Sequence, residues 1–376
     1  MSKLISHNSH TLIVPNFKFF DGSELENIRI GYQTHGTLNK EKSNAILVFH
    51  ALTGSQNISG QFESNEGAFR WTQDCKEGWW SDFVGSGLAI DTDKYFVICA
   101  NWLGGCYGSS GPSSIDPSTD QPYGSKFPQI RLIDIANTQK LLVDSFGIQK
   151  LHNVIGSSAG GLIALEYACK YPESLASLCL IACGVELTPL QIIHNLEQIT
   201  AIKSDASFSL GDYYQSNFPE SGLALARMIA HKTYVSLDAM SSRANSKVKD
   251  SDGSGLNLNH PIESYMVHQG KKFISRFDAN TYLQFIQAWQ LFNLSNEVQA
   301  DTTLEALERL ADLKVLVVSI DSDVCFYPEE QKRLVGLLSK AGVEVASLLV
   351  ESDKGHDSFL IEPHLYADTF RNFLES

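Results

Sequence analysis

The run Gly156-Ser157-Ser158-Ala159-Gly160 sets a serine between glycines with the spacing of a nucleophile elbow. A serine hydroxyl is a poor nucleophile at neutral pH. It attacks an acyl carbon when a base takes its proton and a carboxylate holds that base in place. The chemistry to look for is therefore acyl transfer through an acyl-serine. The frame selects Ser158, because Ser157 would need a glycine at position 155, which is Ile155. A Cβ at position 156 or 160 would clash with the neighbouring strand or helix in so tight a turn.

The partners follow in the chain order serine, acid, histidine. Of the 11 histidines, His356 is the best base, in the loop Lys354-Gly355-His356-Asp357 after a predicted strand and before the last helix. The acid must come from the loop after Ile320, which offers both Asp321 and Asp323. Either can reach His356. Attack on an acyl carbon also needs two backbone N–H donors for the oxyanion. Ala159, the residue after the nucleophile, supplies one, and Leu52 in His50-Ala51-Leu52-Thr53-Gly54 is placed to supply the other. His50 reads as a structural residue at the end of a strand.

These residues need a sheet to position them. Leu151–Ile155 reads as a buried strand running into the elbow, and Gly161–Cys169 as the helix leaving it. Asn27–Thr34, Ala45–His50, Tyr95–Ala100, Leu175–Cys183, Val315–Ile320 and Glu344–Val350 carry strand patterns. Arg131–Phe146, Pro328–Ala341 and Pro363–Leu374 read as helices. Strands alternating with helices give an α/β class with a doubly wound, mostly parallel sheet. Between about 185 and 300 the rhythm changes to helices: one opens at Thr188-Pro189, and others cover Ala224–Val235 and Thr281–Leu294. Ser242–Gly255 reads as a loop. The division expected is a core of 1–184 and 301–376 and a helical lid insertion of 185–300 over the carboxyl ends of the strands.

Composition narrows the function. The chain has 376 residues, 43% hydrophobic and 19% charged, which describes a soluble globule with a large core. With 29 basic and 43 acidic residues the net charge is −14, which argues against a nucleic-acid or anionic-membrane surface. The seven cysteines form no C-x-x-C pair and no metal-like cluster. They read as free thiols in a reducing compartment, with the cytoplasm as the default. No signal peptide or spanning segment is evident.

The chain resembles the homoserine O-acetyltransferases of methionine biosynthesis, within the α/β-hydrolase superfamily. The resemblance runs through His50–Gly54, Gly78-Trp79-Trp80, Asp91–Phe96, Leu103–Pro112, the elbow, Ala226-Arg227 with Thr233-Tyr234, Gly270–Phe273 with Arg276–Asn280, and Gly355–Leu360. It implies an α/β-hydrolase fold. It also implies Asp323 as the acid, because that residue opens Asp323-Val-Cys-Phe-Tyr-Pro328 in the family's Asp-x-x-Phe-x-Pro form. Arg227 is implied to clamp the substrate α-carboxylate and Asp357 to face its α-amino group, with Tyr234 near the same substrate.

The reaction so implied moves an acetyl group from acetyl-CoA, as co-substrate, to the hydroxyl of L-homoserine, with no resident cofactor or metal. A homodimer joined through the lid is implied as well. Departures from the family pattern are Ala159 where a large residue is usual, Ser157 for glycine, Ser55 for aspartate, and Gln290 and Asn293 for aspartates. They leave L-serine open as acceptor, and since a fold does not fix a function, simple ester hydrolysis stays open as the reaction. Related enzymes that use succinyl-CoA tend to place arginine two residues after the acid. Here that residue is Cys325, which favours acetyl.

Overall fold

The computed structural model describes residues 9–63, 66–244 and 258–376. Eight strands form one sheet in the order His10–Lys18, Glu24–His35, Phe96–Ala100, Ala45–Phe49, Asn153–Ser157, Ser177–Ile181, Lys314–Ile320, Glu344–Val350. The first two strands form an antiparallel hairpin, the second meets Phe96–Ala100 antiparallel, and every later pairing is parallel. The four strands Phe96–Ala100, Ala45–Phe49, Asn153–Ser157 and Ser177–Ile181 are buried at every residue, as expected when helices cover both faces of a parallel sheet.

The strand order decides where a ligand can sit. From Ala45–Phe49 the chain steps outward to Phe96–Ala100, then crosses back to Asn153–Ser157 on the other side of Ala45–Phe49. That reversal is a topological switch point, which opens a crevice at the carboxyl ends of the two central strands. Phe49 pairs with Gly156 in register. The His50–Gly54 loop and Ser158 therefore leave the sheet side by side.

The strand His10–Lys18 carries no clean sequence signal. Pro15 interrupts it, and a proline survives in a strand only where its missing N–H faces no partner, as at this sheet edge. The central elements differ from their sequence ranges by a residue or two at each end. The closing helix differs more: Pro363–Leu365 is a 3-10 turn, and the helix proper is Ala367–Glu375. Between them Tyr366 is fully buried and donates its hydroxyl to Ser358 Oγ at 2.8 Å, an anchor that breaks the run.

The segment after Ile181 is helical, with Pro189–Lys203, Glu220–Tyr234, Leu237–Ala244, Pro261–Ile274 and Ala279–Gln290 as its main elements. Thr188 caps the first helix through its side chain, and Gln191 closes the capping box. The helix expected to run to Leu294 stops at Gln290, because Asn293 caps a separate turn, Leu294–Glu297. Neither Leu237–Ala244, which takes in residues 242–244 of the expected loop, nor Pro261–Ile274 was read from the sequence. The rest of that expected loop, 245–255, lies outside the described residues.

Candidate active site

Ser158 sits between the strand Asn153–Ser157 and the helix Ala159–Lys170 with φ 55° and ψ −129°, a conformation an L-residue adopts only under constraint. The constraint is close packing on both sides. A Cβ on Gly156 would lie 2.4 Å from the Gly160 carbonyl oxygen, and one on Gly160 would lie 2.3 Å from that of His50. Only glycine lets the elbow close. The Ser158 N–H donates to Ile181 O at 2.9 Å, which fixes the turn to the next strand.

The hydroxyl so presented lies 2.8 Å from His356 Nε2. His356 Nδ1 lies 2.7 Å from Asp323 Oδ2, and Asp323 Oδ1 accepts from the N–H groups of Cys325 at 2.8 Å and Phe326 at 3.0 Å. All three side chains are buried. Asp321 faces elsewhere, accepting from Ser352 N–H at 2.9 Å on the surface. The His356 ring stacks on Phe326 and meets Phe359 edge-on. Burial works against its charged form, but the Asp323 carboxylate, with Asp357 and Glu330 beyond it, holds its pKa above the ordinary 6.5.

The loop Ala51–Gly54 lines the same cavity as Ser158. Leu52 belongs to it, and Ala159 opens the elbow helix, whose first-turn N–H groups have no partner within the helix. His50 is fully buried, stacked on Trp102 at 4.4 Å between centroids, with Nδ1 2.7 Å from Ala51 O. Burial pushes its pKa down to about 4, so the imidazole is neutral.

A cavity of about 340 Å³ opens above Ser158 and is walled by Leu52, Arg227, Tyr234, Phe273, Arg276 and Asp357. The Arg227 guanidinium lies 4.9 Å from the ring centres of both Tyr234 and Phe273. Its Nη1 is buried with no hydrogen-bond partner among the described residues. The Arg227 side chain lines the cavity, and a guanidinium there is suited to a carboxylate. Burial raises the Tyr234 phenol to about 12, so it stays protonated as a donor.

Thus Ser158, His356, Leu52, Arg227, Tyr234 and Asp357 share one cavity, and Asp323 lies behind the imidazole. Gln290 and Asn293 do not line it, and Cys325 packs behind Asp323 with its thiol on Thr233. Sequence reasoning assigned no role to Phe273 or Arg276. Their signal was present in the Gly270–Phe273 and Arg276–Asn280 segments, but an aromatic ring on a helix face and a cation in the turn after it ordinarily mean core and surface.

Residues 44–363 match the family model of the alpha/beta hydrolase fold. The chain is 43% identical to a homoserine O-acetyltransferase of Methanococcus vannielii over 91% of this chain and 67% of that protein. It is 40% identical to one of Pelagibacter ubique over 94% of this chain and 93% of that protein. The structure superposes on a homoserine O-acetyltransferase from Bacillus anthracis with TM-score 0.89 and 26% identity, over 99% of each chain. It also superposes on esterase E22 with TM-score 0.86 and 26% identity, over 98% of this chain and 99% of that one.

Proposed function

The chain belongs to the homoserine O-acetyltransferase family of the α/β-hydrolase fold, and from that premise we propose how its own residues perform the reaction. The enzyme transfers the acetyl group of acetyl-CoA to the hydroxyl of L-homoserine. His356 takes the Ser158 proton as the hydroxyl attacks the thioester carbonyl, and the Leu52 and Ala159 N–H groups receive the oxyanion. Collapse breaks the carbon–sulfur bond, and His356 returns the proton to the departing CoA thiolate. The acetyl group is then an ester on Ser158.

In the second half His356 takes the homoserine hydroxyl proton as that oxygen attacks the acetyl-serine. The proton ends on Ser158, and O-acetylhomoserine leaves. Asp323 holds the imidazole and stabilises its cation without itself taking the proton. Arg227 pairs with the acceptor α-carboxylate, Asp357 faces its ammonium group, and Tyr234 flanks both.

The observation that carries this reading is the Arg227 side chain lining the same cavity as Ser158, with its Nη1 left without a hydrogen-bond partner among the described residues. A simple esterase has no use for such a group. The superposition on esterase E22 favours ester hydrolysis as the second reading. The thiol of Cys325 offers no cation to a succinyl carboxylate, which supports acetyl as the acyl group.

The test is CoA release from acetyl-CoA with L-homoserine, L-serine or no acceptor. The reading expects turnover with homoserine and far slower turnover with water. Serine should be used at a rate lower by the 1–3 kcal/mol that one methylene is worth, so cross-reactivity is expected. Equal CoA release with and without acceptor would make the protein a hydrolase.

A homodimer joined through the lid is part of the proposal. Leu190, Ile193 and Leu196 of Pro189–Lys203 and Leu225 of Glu220–Tyr234 form an exposed apolar stripe that supports it. All seven cysteines are free thiols, which supports a reducing compartment such as the cytoplasm. No helix among the described residues is long and apolar enough to cross a membrane.

A further inference from the structure

His50 leaves the strand Ala45–Phe49 beside the elbow but does not line the catalytic cavity. Its Nδ1 lies 2.7 Å from Ala51 O. A carbonyl oxygen can only accept, so Nδ1 carries the ring hydrogen, and Nε2 is left buried without a partner among the described residues. The ring cannot turn away. Trp102 stacks on it with an interplanar angle of 11°, and the Gly54 backbone closes over it so tightly that a Cβ there would lie 2.9 Å from His50 Cβ.

The same Ala51 oxygen accepts a second bond, from Gly54 N–H at 2.8 Å. Two donors therefore fix the Ala51 carbonyl. In a trans peptide the C=O and the following N–H lie in one plane and point in opposite directions. Fixing Ala51 O thus fixes the Leu52 N–H, directed to the other side of the loop. From these contacts we infer that His50 is a positioning residue for the oxyanion hole, holding the Ala51–Leu52 peptide so that Leu52 N–H faces the reacting carbon at Ser158.

It moves no proton and touches no substrate. A carbonyl held by one donor instead of two lets the peptide rock, and the N–H loses its preorganised aim, which is where an oxyanion hole derives its effect. The inference rests on the reading of Leu52 as an oxyanion donor, but not on which acyl donor or acceptor the enzyme uses.

The experiment compares His50→Phe, which keeps a ring on Trp102 but loses the donor, with His50→Asn, whose amide can donate from nearly the position of Nδ1. His50→Leu, matching asparagine in shape without a donor, covers the case in which the phenylalanine variant does not fold. Two substrates are used: acetyl-CoA with L-homoserine, and p-nitrophenyl acetate, whose burst reports acylation of Ser158 whatever the natural substrates are.

The expected result is a loss of about 30-fold in kcat for the Phe or Leu variant with both substrates. This is a fraction of the 10²–10³ lost when an oxyanion donor is removed outright. KM should stay within about threefold and the Asn variant within about fivefold of wild type. Phe and Leu variants that turn over p-nitrophenyl acetate like wild type would overturn the inference, as would an Asn variant that falls as far as Leu. If wild type handles p-nitrophenyl acetate but not acetyl-CoA, the substrate reading fails while the His50 comparison still stands.

Discussion

Removing the Ser158 hydroxyl or the His356 imidazole deletes a link in one relay, so the losses should not add. Ser158→Ala, His356→Ala and the double variant should each lose on the order of 10⁴-fold or more in kcat. Asp323→Asn should be clearly impaired and Asp321→Asn close to wild type, since only Asp323 contacts the imidazole. Greater damage from Asp321→Asn would reverse that assignment. The pH dependence follows from the same contacts. The base must be neutral to act, and its pKa is raised, so kcat/KM should climb with pH along a limb centred above 6.5. By the same sign, the His356–Asp323 pair stabilises the fold fully below 6.5 and ceases to do so as pH rises through the folded value. Asp323→Asn should move the kcat/KM limb to lower pH, and an unmoved limb would mean that another group sets it. Residue types and order made Ser158 and His356 legible. The choice between two aspartates two residues apart was not, because it depends on which way a loop turns its carboxylates. Only the resemblance to a family decided it.

At the scale of elements, the elbow depends on a helix pressed against the end of its neighbouring strand. A methyl on Gly160 would meet the His50 and Phe49 carbonyl oxygens at 2.3 and 2.6 Å, and backbone cannot step aside. Gly160→Ala should therefore cost about 1–3 kcal/mol or more and most of the activity, measured by denaturant unfolding and kcat. Wild-type stability in that variant would mean the elbow is looser than drawn. The far end of the same helix meets the turn Leu294–Glu297. There the buried Glu166 carboxyl faces Glu297, whose Oε1 accepts from Arg131 Nε at 2.8 Å. Burial, then the facing Glu297, pushes the Glu166 pKa well up. The contribution of Glu166 to stability is thus fullest below 4.5 and is lost as pH rises through the folded value. Glu166→Gln can donate without titrating, so it should raise Tm at pH 8 and lose that advantage at pH 5; equal effects at both would show that no proton is held there. The central strands were legible because they are buried at every residue. The strand around Pro15 and the helix Pro261–Ile274 were not: the first is a sheet edge that tolerates proline, and the second packs on Glu220–Tyr234, which its own pattern does not name.

For the whole molecule, strand order brings together residues as far apart in the chain as Leu52 and His356. The reversal beside Ala45–Phe49 explains why a loop near residue 52, a serine at 158 and a histidine at 356 can meet around one carbon. Alternating strands and helices implied that architecture; the cavity walls contributed by Phe273 and Arg276 depend on how the helices after Ile181 pack, which no local pattern encodes. If the apolar stripe on the lid joins two copies, sedimentation should find a dimer, and Leu196→Asp should shift it to monomer. A monomeric wild type would contradict the lid-joined dimer. The whole reaction passes through the acetyl-serine. Enzyme mixed with acetyl-CoA alone should release CoA in one burst and carry one acetyl group on the Ser158 peptide by mass spectrometry, and L-homoserine should then discharge it as O-acetylhomoserine. CoA release only when both substrates are present, with Ser158 never acetylated, would contradict it.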